Sequence, residues 1–234
     1  MNKVAFITGA GKGIGRQIAL DMASAGYDLI VSYNTSFNDI KTLEEEVVKL
    51  GVKFIAYKMD LSSEIEIKFV CNEIQKMYKK IDVLINNAAL SMDSPFKEKT
   101  KQEFMKILEV NLVAPFLIIQ NLSNELKYSK IFNIASTDGI NTYSTFNMDY
   151  SASKAGLINL TKSLALEFID AKIYAICPNW VNTESIREMN EEYLKGEMKR
   201  VKQKRLIEPK EISTCIMEII NKNIDSGRII IMEG

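Results

Sequence analysis

Two hydrophobic textures alternate along this 234-residue chain. Short unbroken apolar runs recur near 4–7, 28–33, 53–59, 82–85, 130–135, 173–177 and 228–232. Runs of this length without polar alternation suit strands covered on both faces, as in parallel sheets. Between them, apolar residues return every three or four positions, which predicts amphipathic helices. One helix follows Ile14, Ile18, Met22 and Ala25. Others span Phe37 to Leu50, Glu64 to Tyr78, Thr100 to Leu126 with a break near Asn111, Tyr150 to Phe168, and Pro209 to Asn221. Regular strand–helix alternation predicts an α/β fold, a doubly wound parallel sheet of about seven strands with helices on both faces. No repeat, low-complexity tract or linker interrupts the pattern, so a single domain over 1–234 is expected. Ligands of such sheets bind at the carboxyl ends of the strands.

Composition narrows the function classes. The chain carries 30 basic and 30 acidic residues, a balance that points away from nucleic acid as a partner. Cys71, Cys177 and Cys215 lie far apart and read as core thiols of a reducing cytosol, with no disulfide and no metal set. Met1 runs directly into the first strand, which leaves no room for a signal peptide. No apolar run reaches the length of a membrane span, so a cytoplasmic protein is expected. Histidine is absent altogether, which removes the commonest acid/base side chain.

Two motifs carry the candidate chemistry. Val4-Ala5-Phe6-Ile7 is followed at once by Thr8-Gly9-Ala10-Gly11-Lys12-Gly13-Ile14-Gly15 and then by a helix. Strand, glycine loop and helix together aim backbone N–H groups and a helix dipole at a phosphate. The spacing is neither the common G-x-G-x-x-G, since Ile14 stands in place of its last glycine, nor a P-loop. The second motif is Tyr150-Ser151-Ala152-Ser153-Lys154. On a helix, residues four apart share a face, which sets the Lys154 amine beside the Tyr150 ring. A positive charge about 4 Å away is worth about 4 kcal/mol, roughly three pKa units. That would bring a phenol from about 10 towards neutrality, where it works as an acid/base.

Thr-Gly-x-x-x-Gly-x-Gly at the first strand, with Tyr-x-x-x-Lys far downstream, resembles the short-chain dehydrogenase/reductase family almost end to end. The resemblance implies a Rossmann fold, with a dinucleotide-binding half over about 1–130 and a catalytic and substrate half over about 131–234. It also implies a catalytic set of Asn111, Ser136, Tyr150 and Lys154. Ser136 would hold the substrate carbonyl, Tyr150 would supply the proton, and Lys154 would lower the Tyr150 pKa and grip the nicotinamide ribose. Asn111 would hold a water that links Lys154 to solvent. The implied cofactor contacts are Gly9, Gly11, Lys12, Gly13, Ile14, Gly15, Asn34, Asp60, Leu61, Asn87 and Ala88. Tyr150, Lys154, Pro178, Val181 and Thr183 complete them. Ala89 and Asn179 stand where the family pattern has glycine.

The end of the second strand reads Val31-Ser32-Tyr33-Asn34, with no carboxylate to repel a 2′-phosphate. Lys12 matches a basic residue of NADP-preferring relatives, and Asn34, Thr35 and Ser36 offer hydrogen bonds, so NADP(H) is favoured over NAD(H). Among family members the motifs look most like 3-oxoacyl-(acyl-carrier-protein) reductases, which implies a carbonyl substrate on an acyl-carrier-protein or CoA thioester. A reductase of free ketones, alcohols or sugars is the near alternative, and a non-catalytic NADP sensor the distant one. Lys195, Lys199, Arg200, Lys202, Lys204 and Arg205 face one acid, Glu197, in the expected substrate lid. Such a lid suits an acidic carrier or a phosphopantetheine phosphate. Thr100 to Leu126 and Tyr150 to Phe168 match the helices through which relatives assemble, so a homo-oligomer, a dimer or tetramer, is expected.

Overall fold

The computed structural model describes residues 2–234. Its strands are β1 (Val4–Thr8), β2 (Asp28–Tyr33), β3 (Phe54–Lys58), β4 (Val83–Asn86), β5 (Lys130–Ile134), β6 (Lys172–Pro178) and β7 (Ile229–Met232). They form one seven-stranded sheet in the order β3-β2-β1-β4-β5-β6-β7, and every pairing is parallel. The chain builds outward from β1 through β2 to β3, then returns to the other side of β1 with β4. That reversal opens a crevice beyond the carboxyl ends of β1 and β4, where doubly wound sheets take ligands.

Alternate strand residues face opposite layers. Ile7 and Val31 join Ile18 and Met22 of α1 (Gly13–Ser24), Leu43 of α2 (Phe37–Val48) and Ile216 of α9 (Pro209–Asn221) on one face. Phe6 and Ile30 join the other face with Ile74 of α3 (Glu64–Met77) and Ile118 of α5 (Ala114–Asn121). Each fully buried Leu, Ile or Phe contributes about 1.5–3 kcal/mol. Two apolar layers therefore hold the sheet rigid, and the polar loops at its carboxyl edge inherit that rigidity.

The helix expected over Thr100 to Leu126 does change register near Asn111. Thr100 caps α4 (Lys101–Leu108) in a reciprocal pairing with Glu103, and a π-helical turn, Glu109–Val113, leads on into α5. Proline explains the location. In an α-helix the carbonyl of Asn111 would accept from the N–H of residue 115, and Pro115 has none. The widened turn accommodates the missing bond while the helix runs on.

The helix α6 (Met148–Glu167) begins slightly before Tyr150 and packs over β5 and β6. A buried polar relay fixes it to the sheet: Asn86 Nδ2 donates to Asn133 Oδ1 at 2.8 Å, and Asn133 Nδ2 donates to Thr161 Oγ1 at 2.9 Å. Beyond β6 lie α7 (Glu184–Arg187) and α8 (Glu191–Arg200), the expected lid. Gln203 ties its return to the sheet, accepting from Trp180 N at 3.0 Å and donating to Trp180 O at 2.8 Å. Among the described residues no helix is long and apolar enough to cross a membrane, and no cluster of three or more His, Cys, Asp or Glu could hold a metal.

Candidate active site

A cleft of about 550 Å³ occupies the crevice between β1 and β4. Gly9, Gly11, Lys12, Gly13, Ile14, Asn34, Asp60, Leu61, Asn87, Ala88 and Thr183 line it, as the sequence predicts. The glycine loop and the loop after β4 are fastened together. Thr8 Oγ1 accepts from the N–H groups of Asn87 (3.0 Å) and Ala88 (3.1 Å), while the Asn87 amide donates to the carbonyls of Thr8 and Gly9, each at 3.0 Å. Gly9 has φ +66°, and a β-carbon there would lie 2.9 Å from Ala88, so only glycine fits. Gly15 lies behind the wall, where a β-carbon would strike the Asn87 amide and the Gly9 carbonyl. It shapes the loop and does not line the cleft. Gly11, Lys12 and Gly13 line the cleft at the start of α1, whose N-terminus carries no side-chain cap, so these residues fit the phosphates of a dinucleotide.

The adenosine end holds features that sequence reasoning missed. Asp60 spends Oδ1 on the backbone and hydroxyl of Ser62, at 2.9 and 2.8 Å, and these bonds hold its pKa below the usual range. Lys106, exposed on α4, also lines the cleft. Lys12 Nζ meets Asp39 Oδ2 at 3.5 Å, which sets a carboxylate beside the cation assigned to a 2′-phosphate. The end of β2 carries no carboxylate, but Asp39 enters from the first turn of α2. Ala89 is accommodated at the cleft wall, and Asn179 takes no left-handed conformation, its N–H donating to Met232 O at 3.1 Å.

Tyr150, Lys154 and Ser136 come together at the carboxyl end of β5. Lys154 is buried, with Nζ 5.4 Å from the centre of the Tyr150 ring and donating to Ile134 O at 2.7 Å. The Ser136 hydroxyl lies beside the Tyr150 phenol and accepts from Asp138 N at 3.1 Å. Pro178 closes β6 beside them, and buried Val181 bridges to Ile207. Asn111 is also buried, but its side chain is fully engaged. Its Oδ1 accepts from Leu90 N at 2.8 Å, and its Nδ2 donates to Leu90 O at 2.8 Å and to Ser153 Oγ at 3.1 Å.

The proton affinities differ from the sequence expectation. Burial raises the Tyr150 pKa above its ordinary value, the Asp138 carboxylate raises it further, and the bond with Ser136 pulls the other way. The residue as a whole is half-buried, although its oxygen is closely surrounded. Burial also lowers Lys154 to about 8. Both shifts follow from desolvation, which favours the neutral form of each group. The lysine flanks the ring and serves a carbonyl, so its charge does not outweigh burial.

Asp138 was not singled out in the sequence, although it stands two residues after Ser136. Its carboxylate accepts from the Thr142 hydroxyl, and its pKa is raised chiefly by burial. Above it, Arg200 reaches from α8 to donate to Tyr143 O at 2.6 Å. Half of the six lid cations are paired. Lys195 pairs with Glu191, Arg200 with Glu197 and Arg205 with Glu211. Within α8 itself Glu191, Glu192 and Glu197 balance Lys195, Lys199 and Arg200, and the excess positive charge lies beyond it in Lys202, Lys204 and Arg205.

A fold with its crevice at the β1–β4 reversal, lined by a glycine loop and flanked by a Ser–Tyr–Lys group, defines a dinucleotide-dependent oxidoreductase class. The family model for short chain dehydrogenases matches residues 3–194, and the chain belongs to that family. It is 32% identical to a 3-oxoacyl-[acyl-carrier-protein] reductase FabG of Aquifex aeolicus, covering 99% of this chain and 96% of that protein. It is 30% identical to an acetoacetyl-CoA reductase of Paracoccus denitrificans, covering 98% and 94%. A dehydrogenase/reductase structure from Sinorhizobium meliloti superposes with a TM-score of 0.91 at 25% identity, covering 99% and 94%.

Proposed function

We propose that this oxidoreductase reduces a carbonyl with NADPH, and that the carbonyl is a 3-oxoacyl thioester. The convergence of Ser136, Tyr150 and Lys154 beside the dinucleotide cleft carries the reading. A bound reduced nicotinamide supplies the hydride. Ser136, held by the N–H of Asp138, would turn its hydroxyl hydrogen from the neighbouring phenol to the substrate oxygen and steady its charge. Tyr150 gives its proton to that oxygen. A raised pKa keeps the phenol protonated, the form that reduction needs. Lys154, lowered to about 8, exchanges protons near neutrality and can restore the phenol. Because the Asn111 amide is engaged, the water-holding role falls to its main-chain carbonyl, which Pro115 deprives of an α-helical partner.

NADP(H) is supported by Lys12 and by the polar Asn34 and Ser36 at the cleft rim, against the opposing charge of Asp39. The thioester rests on the likeness to FabG and to the acetoacetyl-CoA reductase. Asp138 and the charge balance within α8 favour a second reading, reduction of a free ketone or sugar that offers hydrogen-bond donors. NADPH oxidation with acetoacetyl thioesters against a free-carbonyl panel decides between them. On the best substrate, Tyr150→Phe should lower turnover by about two to four orders of magnitude and leave NADPH affinity intact. A variant retaining half the wild-type turnover rejects the assignment.

A further inference from the structure

The loop after β4 is joined to the start of α6 at three places around Tyr150. Asn111 holds both backbone groups of Leu90 and reaches Ser153 Oγ, which donates to Tyr150 O at 2.6 Å. Ser94 N donates to Phe146 O at 3.1 Å. Between them lies a buried ion pair. Lys99 Nζ donates to Asp149 Oδ2 at 2.8 Å and to Met92 O at 2.8 Å, with side-chain exposures of 8% and 0%. Asp149 Oδ1 accepts from Tyr150 N at 3.0 Å. Lys99 therefore connects the loop backbone, through one carboxylate, to the backbone of the tyrosine itself.

Charges are expensive to bury, and an apolar pair of equal volume often stabilises a fold as well or better. Simple packing does not call for an ion pair here. What the pair adds is direction, since a carboxylate with one oxygen on Lys99 and the other on Tyr150 N fixes the first turn of α6 against the loop. We infer that Lys99 and Asp149 are positioning residues, which hold Tyr150 at the reacting carbonyl by locking the loop from Leu90 to Lys99 onto α6. The inference rests on the assignment of Tyr150 as the proton donor. Neither residue touches substrate, and neither belongs to the family motifs that identify the site.

Removing one partner would strand the other charge in the interior, so Lys99→Met or Asp149→Asn alone can fail by unfolding. The double variant Lys99→Met/Asp149→Asn removes both charges at similar volume and keeps an acceptor for Tyr150 N. It should melt within a few degrees of the wild type and bind NADPH within about twofold, yet lose about tenfold or more in kcat, since small misplacements of reacting groups are costly. Introduced into Tyr150→Phe, the same double change should cause no further loss, because there is no phenol left to position. A double variant with kcat within twofold of the wild type overturns the inference. So does an equal loss in both backgrounds, which marks a general structural effect. Full turnover by Tyr150→Phe instead rejects the proton-donor assignment, a result distinguishable from either.

Discussion

Lys154 is an amine that the fold dehydrates at a cost to its own stability. Its pKa falls from 10.5 to about 8. The unfolded chain then binds more protons than the folded one between those values, so the protein gains stability as pH rises from about 8 towards 10.5. Below about 8 the penalty is present in full. Lys154→Met, which loses the bond to Ile134 O but carries no charge to bury, should abolish turnover without lowering the melting temperature at pH 7. The wild type should then gain on the variant as the buffer is raised to pH 10. Thermal melts at the two pH values test this, and a gap that widens in the variant's favour at pH 10 contradicts it. A stabilising loss-of-function substitution is the behaviour of a residue kept for chemistry.

Where whole elements meet, the mouth of the cleft is set by the glycine loop and the first turn of α2. Lys12 and Asp39 meet there, the lysine exposed and the aspartate partly so. At such a surface a single charge is worth about 1 kcal/mol. Lys12→Ala should weaken NADPH binding about fivefold and leave NADH unchanged, read by nucleotide titration, while an equal loss for both nucleotides would remove Lys12 from the 2′-phosphate site. The element pattern itself was plain in the sequence, because fully buried strands read as continuous apolar runs and covered helices as a 3.6-residue period. The disturbance at Asn111 was local enough to read as well, whereas the Thr100–Glu103 cap emerged only with the structure. Asp39 and Lys106 were not, since each reaches the cleft from a helix whose packing angle no local pattern encodes, and Asp138, though close to Ser136 in the chain, showed its burial only in the fold. The acidity of Tyr150 misled for a related reason. Helical spacing places an amine beside a ring, but only the folded surroundings show that burial outweighs its charge.

At the scale of the whole molecule, the surface around α4, α5 and α6 leaves large apolar groups in water. Met105, Val113 and Phe116 are exposed by 44%, 42% and 38%, and Leu166 and Ile169 by more than 80%. Exposed apolar groups on the helices expected to join subunits are what an association face would require. Light scattering should report a dimer or tetramer, and Phe116→Glu should shift the population towards single chains; a monodisperse monomer in the wild type dismisses the face as an interface.

The anchorage of Gln203 on Trp180 has a mechanical corollary. Its amide grips both backbone groups of Trp180 and donates to the Arg205 carbonyl at 2.7 Å, and with the Val181–Ile207 bridge beside it the chain leaving β6 and the chain returning from α8 are riveted together. Any swing that admits a substrate must pivot above that rivet, within the arm carrying α7 and α8. The phenol and amine stand on α6, outside that arm, so such a swing would not carry them.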